Sequence, residues 1–288
     1  TVRQEGASAG TGIAAQGGTT ITAGGDVTFR AQGTGSDITA GTIDAAGAID
    51  LEAADTVTFG GNLSGDTDGN AAAGDSTVVV ASSVLNNTVG AGVLDAGSGR
   101  FVTYSDDFAT DTPNGLSAQN FWDSGRASQA PSSLPSGNWQ VFTRAPSLTV
   151  TAADAAKTYG DANPALTIDS VTGFLNGDTA SVLTGSGDAT TTATDTSDAG
   201  IYTISAGKNT LSSPTGYSFA FADGTLTVNP AALTITADDK SKEVGDANPP
   251  LTATFSGLTA GDTPTDLDTG VNLSTPADTS TPAGMYSI

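Results

Sequence analysis

The chain contains no cysteine and no histidine. Disulfides, Cys nucleophiles, Ser-His-Asp triads and the usual zinc ligand sets are thereby excluded. Positive charge is scarce: 9 Lys and Arg stand against 31 Asp and Glu, for a net charge of -22. Nucleic-acid binding needs a basic face for phosphate contacts, so that class is excluded too. No apolar run approaches about 18 residues, so no membrane insertion is expected. Helix-favouring residues are thin, with Glu only at positions 5, 52 and 243 and Met only once. The 288 residues are instead rich in Thr, Val, Ala, Ser and Asp, with 37 Gly. That composition predicts an all-β chain of short strands and tight turns. The length suggests about two domains. Disorder is the competing reading of an acidic, Gly-rich chain. Regular apolar alternation and a hydrophobic fraction of 37% argue against it.

The first hundred residues carry that alternation. ITAGGDVTFRA (21–31) superposes on IDAAGAIDLEA (43–53): Ile21 on Ile43, Gly25 on Gly47, Val27 on Ile49, Phe29 on Leu51 and Ala31 on Ala53. TVTFGGNL (56–63) begins a similar pattern. Apolar residues alternate with polar ones, so each strand buries one face. A spacing near twenty residues with small residues at the corners suits a solenoid coil. One coil cannot bury its own inner face, whereas stacked coils bury a continuous one. The sequence predicts the C-terminal end of a right-handed β-helix over residues 1–100. A β-sandwich of the same short strands is the alternative. The two units resemble coils of filamentous-haemagglutinin-like exoproteins, the large adhesins exported by two-partner secretion.

Residues 101–145 differ. Phe101, Tyr104, Phe108, Phe121, Trp122, Trp139 and Phe142 cluster here, with both tryptophans of the chain. SGRFVTYS (98–105) resembles the strand that ends the β-helix in many of those adhesins. A last coil exposes its apolar core and an unpaired edge, and bulky aromatics can cover both. The segment is therefore expected to be a cap, with a Ser/Pro/Gly-rich surface loop over 120–138. A carbohydrate platform, with Trp122 or Trp139 stacked on sugar rings, is the functional alternative.

Beyond Pro146 lies a tandem repeat. LTVTAADAAKTYGDANPALT (148–167) recurs as LTITADDKSKEVGDANPPLT (233–252), 85 residues later. GFLNGDT (173–179) returns as GLTAGDT (257–263), and AGIYTI (199–204) as AGMYSI (283–288). A period of about 85 residues with about seven short strands fits tandem immunoglobulin-like β-sandwich repeats, at 146–230 and 231–288. DAGIYTI resembles a tyrosine corner, with Tyr202 and Tyr286 in that place. YGDANP and VGDANP read as turn chemistry. These motifs, in this order and spacing, resemble the mostly-β, glycine-rich (MBG) domains found in tandem in bacterial surface adhesins. The resemblance implies a stalk or spacer and brings no catalytic residues. Val244 departs from the usual Tyr. The second copy has no counterpart of YSFAFADGTLTVNP (217–230), and residue 1 is Thr, so the sequence reads as part of a longer chain.

Few residues offer chemistry. Asp66, Asp68 and Asn70 could supply oxygen ligands to Ca²⁺ from one turn, but the distal Glu of an EF-hand is missing. A solvated loop is the simpler reading. Asp178 and Asp262 in the GDT turns read as turn formers. A polysaccharide lyase would need a base with charge-stabilising cations, and the coils offer only Arg3, Arg30 and Arg100, far apart. Lys157 and Lys242 occupy equivalent repeat positions and read as surface lysines rather than isopeptide donors. No catalytic, cofactor-binding or metal residue is therefore assigned, and the chain is not expected to be an enzyme. The expected role is a shaft or stalk fragment of a secreted bacterial adhesin at the cell surface. Its expected partners are parent-chain repeats on both sides and, by resemblance, an outer-membrane two-partner transporter. A direct polysaccharide-binding or cell-surface-binding module is the alternative.

Overall fold

A computed structural model describes residues 2–7, 13–14, 20–69, 71 and 76–288, with side chains over 20–69, 71 and 78–288. Strands dominate, and the only helices among the described residues are short 3-10 turns such as Pro131–Ser133. The chain forms two compact units: 1–148 with 172–186 and 210–220, and 149–171 with 187–209 and 221–288.

The first unit is a stack of coils, β-helix-like in its pairing. Three parallel sheets take their strands in rotation: Val27–Gln32, then Ile38–Ala40, then Thr42–Ala45, before the chain returns to the first sheet at Ile49–Ala53. Every pairing in these sheets is parallel, as stacked coils require and a sandwich of hairpins would not supply. The register read from the sequence is the observed one: Ile21 lies on Ile43, Val27 on Ile49 and Phe29 on Leu51. TVTFGGNL is not a third copy of that unit. Its Thr56–Phe59 strand belongs to another face, where Val57 lies on Ile38 and below Leu85. Coil length varies: Val27 to Ile49 is 22 positions, but Ile49 to Val78 is 29.

The inward residues form one core. Ile38, Ile43, Ile49, Leu51, Val57, Phe59, Leu63 and Leu85 are all buried within it. Each such side chain is worth about 1.5–3 kcal/mol relative to exposure. Corners are tight: a Cβ on Gly47 would collide with the Asp26 carboxylate. That carboxylate accepts from the Ala48 N–H at 3.0 Å, so the glycine lets one coil cap the next.

The aromatic segment is more regular than a cap. Arg100–Ser105, Trp139–Phe142 and Gln119–Phe121 are parallel strands that continue the first sheet to seven. From Ser76–Ala81 onward this sheet is covered on both sides. Val78, Val80 and Phe101 face the inner core, while Val79, Ala81, Val102, Tyr104, Trp139 and Val141 form a second core. Further back the outward positions are polar, at Arg30, Asp50 and Glu52.

Seven strands of the first repeat form two sheets, one of three strands and one of four. In the four-stranded sheet Gly224–Asn229 lies between Ala155–Thr158, with which it is parallel, and Gly200–Gly207, with which it is antiparallel. Ala152, Ile204, Leu226 and Val228 make its core. Residues 231–288 contain one antiparallel pair, Thr234–Ala237 with Ala253–Ser256.

Candidate functional site

Trp122 is the centre of the densest aromatic cluster. Its ring is 1% exposed and stacks on Phe142 at 4.4 Å between centroids. Phe108 and Tyr217 meet it edge-on at 6.2 and 5.4 Å. The indole N–H donates to Asp178 Oδ2 at 3.2 Å, and Tyr217 donates to the same oxygen at 2.8 Å. Burial, reinforced by the Asp178 carboxylate, raises the Tyr217 hydroxyl above its ordinary pKa. Asn176, two residues before Asp178, donates to Asn120 at 2.6 Å and to Gln140 at 3.0 Å. The turn carrying Asn176 and Asp178 thus seats on the aromatic strands.

Trp139 lies in the second core, 5% exposed, with its N–H on the Pro135 carbonyl at 2.9 Å. The loop around Pro135 is pinned over the outer face of the sheet. Buried Arg100 donates to the carbonyls of Pro131, Leu134 and Pro135. Tyr104 donates to Gln129 O at 2.8 Å, and burial pushes its hydroxyl pKa up to about 12. Arg126 reaches Asp50 at 3.0 Å and Glu52 at 3.4 Å, joining Arg30 on the same carboxylates. The surface loop expected over 120–138 is therefore partly built in, with Trp122 and Leu134 buried. Neither indole is exposed for sugar stacking.

Both repeats contain the same polar clasp. Lys157 Nζ donates to Asp161 O at 3.0 Å and Thr194 O at 2.5 Å, while Asn163 donates to Ala193 O at 2.6 Å. Lys242 Nζ donates to Asp246 O and Asp278 O, and Asn248 to Ala277 O at 2.6 Å. The GDAN turn is thus more than a turn: with the lysine before it, it ties down a distant loop. The surface reading of Lys157 is corrected, because the residue is 6% exposed. Two main-chain carbonyls hold its ammonium in place. Tyr202 and Tyr286 each donate to a carbonyl four residues upstream, Asp198 O at 2.9 Å and Pro282 O at 3.1 Å. These are the tyrosine-corner bonds the sequence suggested.

Asp66 carries a structural duty. Buried at φ 54, its carboxylate accepts from Ala71 N at 2.8 Å, from Ser98 N at 3.1 Å and from Ser98 Oγ at 2.6 Å. Asp68 is exposed beside it, and Asn70 lies outside the described residues. Among the described residues no three acidic side chains gather as metal ligands would. Arg3 and Glu5 have side chains outside the described set; Arg30 and Arg100 are engaged as above.

Asp111 has a strongly raised pKa, about 6, chiefly through burial. It accepts from Leu85 N at 2.8 Å and Ser105 Oγ at 2.5 Å, with Asp106 and Asp107 nearby adding like charge. A raised folded pKa favours the protonated native state. Its stabilising contribution is complete below the ordinary carboxyl pKa and lost as pH rises through about 6. Asp111→Asn is therefore expected to remove on the order of 1–2 kcal/mol of the stability difference between about pH 4 and about pH 7. Urea unfolding of both proteins at the two pH values checks this.

The described parts thus form an all-β chain of stacked parallel coils joined to a repeat region. Residues 148–227 and 233–288 each match the family model of the MBG domain (YGX type). That family is one of structural repeats typical of large adhesin-like proteins, not an enzymatic one. Tyr159-Gly160-Asp161 carries the YGX signature, and Val244-Gly245-Asp246 stands in its place in the second match. No curated protein and no solved structure matches the chain.

Proposed function

We propose that this chain is a shaft segment of a large secreted bacterial surface adhesin, a right-handed β-helix end followed by immunoglobulin-like sandwich repeats. It supports cell–cell, biofilm-matrix or surface attachment by holding a binding tip away from the cell. Its partners are further repeats of the parent chain and, by resemblance to filamentous-haemagglutinin-like proteins, an outer-membrane two-partner transporter. The observation that carries the reading is the pairing of stacked coils with two MBG matches that share one clasp. Polar side chains of the clasps and of the aromatic seat bind the protein's own carbonyls and carboxylates. A glycan array probed with this chain tests the proposal. A shaft gives no signal above background, whereas saturable binding to a polysaccharide would replace it with the direct-binding alternative.

A further inference from the structure

The GD turns of the two repeats are the same object. Leu175 O accepts from Asp178 N, and Thr259 O from Asp262 N, each at 2.9 Å. Asn176 and Ala260 both take the left-handed conformation, at φ 49 and 57, each followed by a glycine at positive φ. Non-glycine residues adopt that region only in well-determined turns. Each turn also presents its aspartate to an aromatic donor that precedes its own repeat. Asp178 takes the indole N–H of Trp122. Asp262 takes the hydroxyl of Tyr159, the Tyr of the YGD motif, at 3.1 Å. Beside Tyr159, a Cβ on Gly160 would collide with the Thr259 side chain, so the glycine's backbone lies directly against that threonine of the second turn. That hydrogen bond raises the Tyr159 hydroxyl pKa.

We propose that the GD turn of each repeat is a docking foot, and that the YGD turn of an MBG repeat is its receptor on the module before. The partner this surface fits is the x-x-G-D turn of a following repeat, recognised by an aromatic hydrogen-bond donor and a glycine that clears room for it. In the first repeat the receptor is Trp122 instead, with Asn120 and Gln140 taking Asn176. At Val244 the receptor loses its hydroxyl, and the side chain is 64% exposed. The inference does not depend on the adhesin reading, since it concerns only how consecutive repeats meet.

Because the chain has no cysteine, spin labels can be placed through Ser205→Cys and Thr269→Cys, one exposed site in each repeat. The distance distribution between them is measured in the full chain. Tyr159→Phe removes one hydroxyl, and the undocked population should rise about fivefold, as loss of one net hydrogen bond implies. Asp262→Ala should do the same, and Tyr159→Phe should add nothing in the Asp262→Ala background. An unchanged distribution in both single variants would overturn the proposal, as would two independent effects that add. Amide exchange over Gly224–Asn229 serves as the fold control. Loss of its protection in Tyr159→Phe would place the hydroxyl's role inside the first repeat and overturn the proposal equally.

Discussion

Replacing Trp122 with alanine is expected to lower the stability of the first unit by about 3–5 kcal/mol. The ring is almost fully buried, and its removal deletes the stack on Phe142 and two edge contacts. Stacked and edge-on pairs add about 0.5–1.5 kcal/mol each beyond area burial. The change also leaves Asp178 with one aromatic donor fewer. The damage should be local, because stacked modules contact mainly their neighbours. Amide exchange should rise at residues 172–186 and 210–220 while Thr234–Ala237 stays protected. Denaturant unfolding gives the magnitude; a variant as stable as the parent would show that the cluster is not a structural seat.

The second large effect compares equivalent lysines. Lys157→Met keeps the aliphatic stem but strips two charged hydrogen bonds from a 6% exposed site. Bonds to charged groups are worth about 1.5–3 kcal/mol each, so about 3 kcal/mol of the first repeat's stability should go. Lys242→Met removes the same two bonds in exposed surroundings, where water replaces the ammonium. There the cost should stay near or below about 0.5 kcal/mol. Thermal unfolding of the pair checks the contrast, and equal losses would mean that the clasp acts through geometry rather than burial.

Much of the coil stack was legible because its signal is periodic. Gly25 over Gly47 and Ile21 over Ile43 set a register that survives in the strand pairing. The second face was misassigned at Val57, since a three-residue strand such as Ile38–Ala40 is too short to show its own period. Arg100–Ser105 is a strand, as its resemblance suggested, but the continuation of its sheet through Trp139–Phe142 is hidden for a different reason. Both faces of these two strands are covered, so even their polar residues Thr103 and Gln140 are buried and no exposed face marks a period. Aromatic content then reads as a lid where the chain continues its sheet. Lys157 reads as a surface residue in sequence because burial of a lone ammonium has no local mark there. The recurring pair Lys157 with Asn163 and Lys242 with Asn248, six residues apart in both copies, was the available clue. The GD turns were correctly read as turns, but a turn's partner lies far away in sequence and leaves no periodic trace.

The parallel pairing of Ala155–Thr158 with Gly224–Asn229 has a mechanical meaning. These strands stand near the entry and exit of the first repeat. Tension that pulls entry and exit in opposite directions therefore runs along both strands in opposing senses. The four residue pairs of the ladder, Ala155 with Leu226 through Thr158 with Asn229, are loaded in shear and must fail together. A hairpin pulled from its open end would lose them one after another. Rupture under load is governed by the unfolding rate, so a patch held in shear raises the force a segment withstands without raising its equilibrium stability. The first repeat is thereby built to resist tension applied between its two ends through the four-pair ladder.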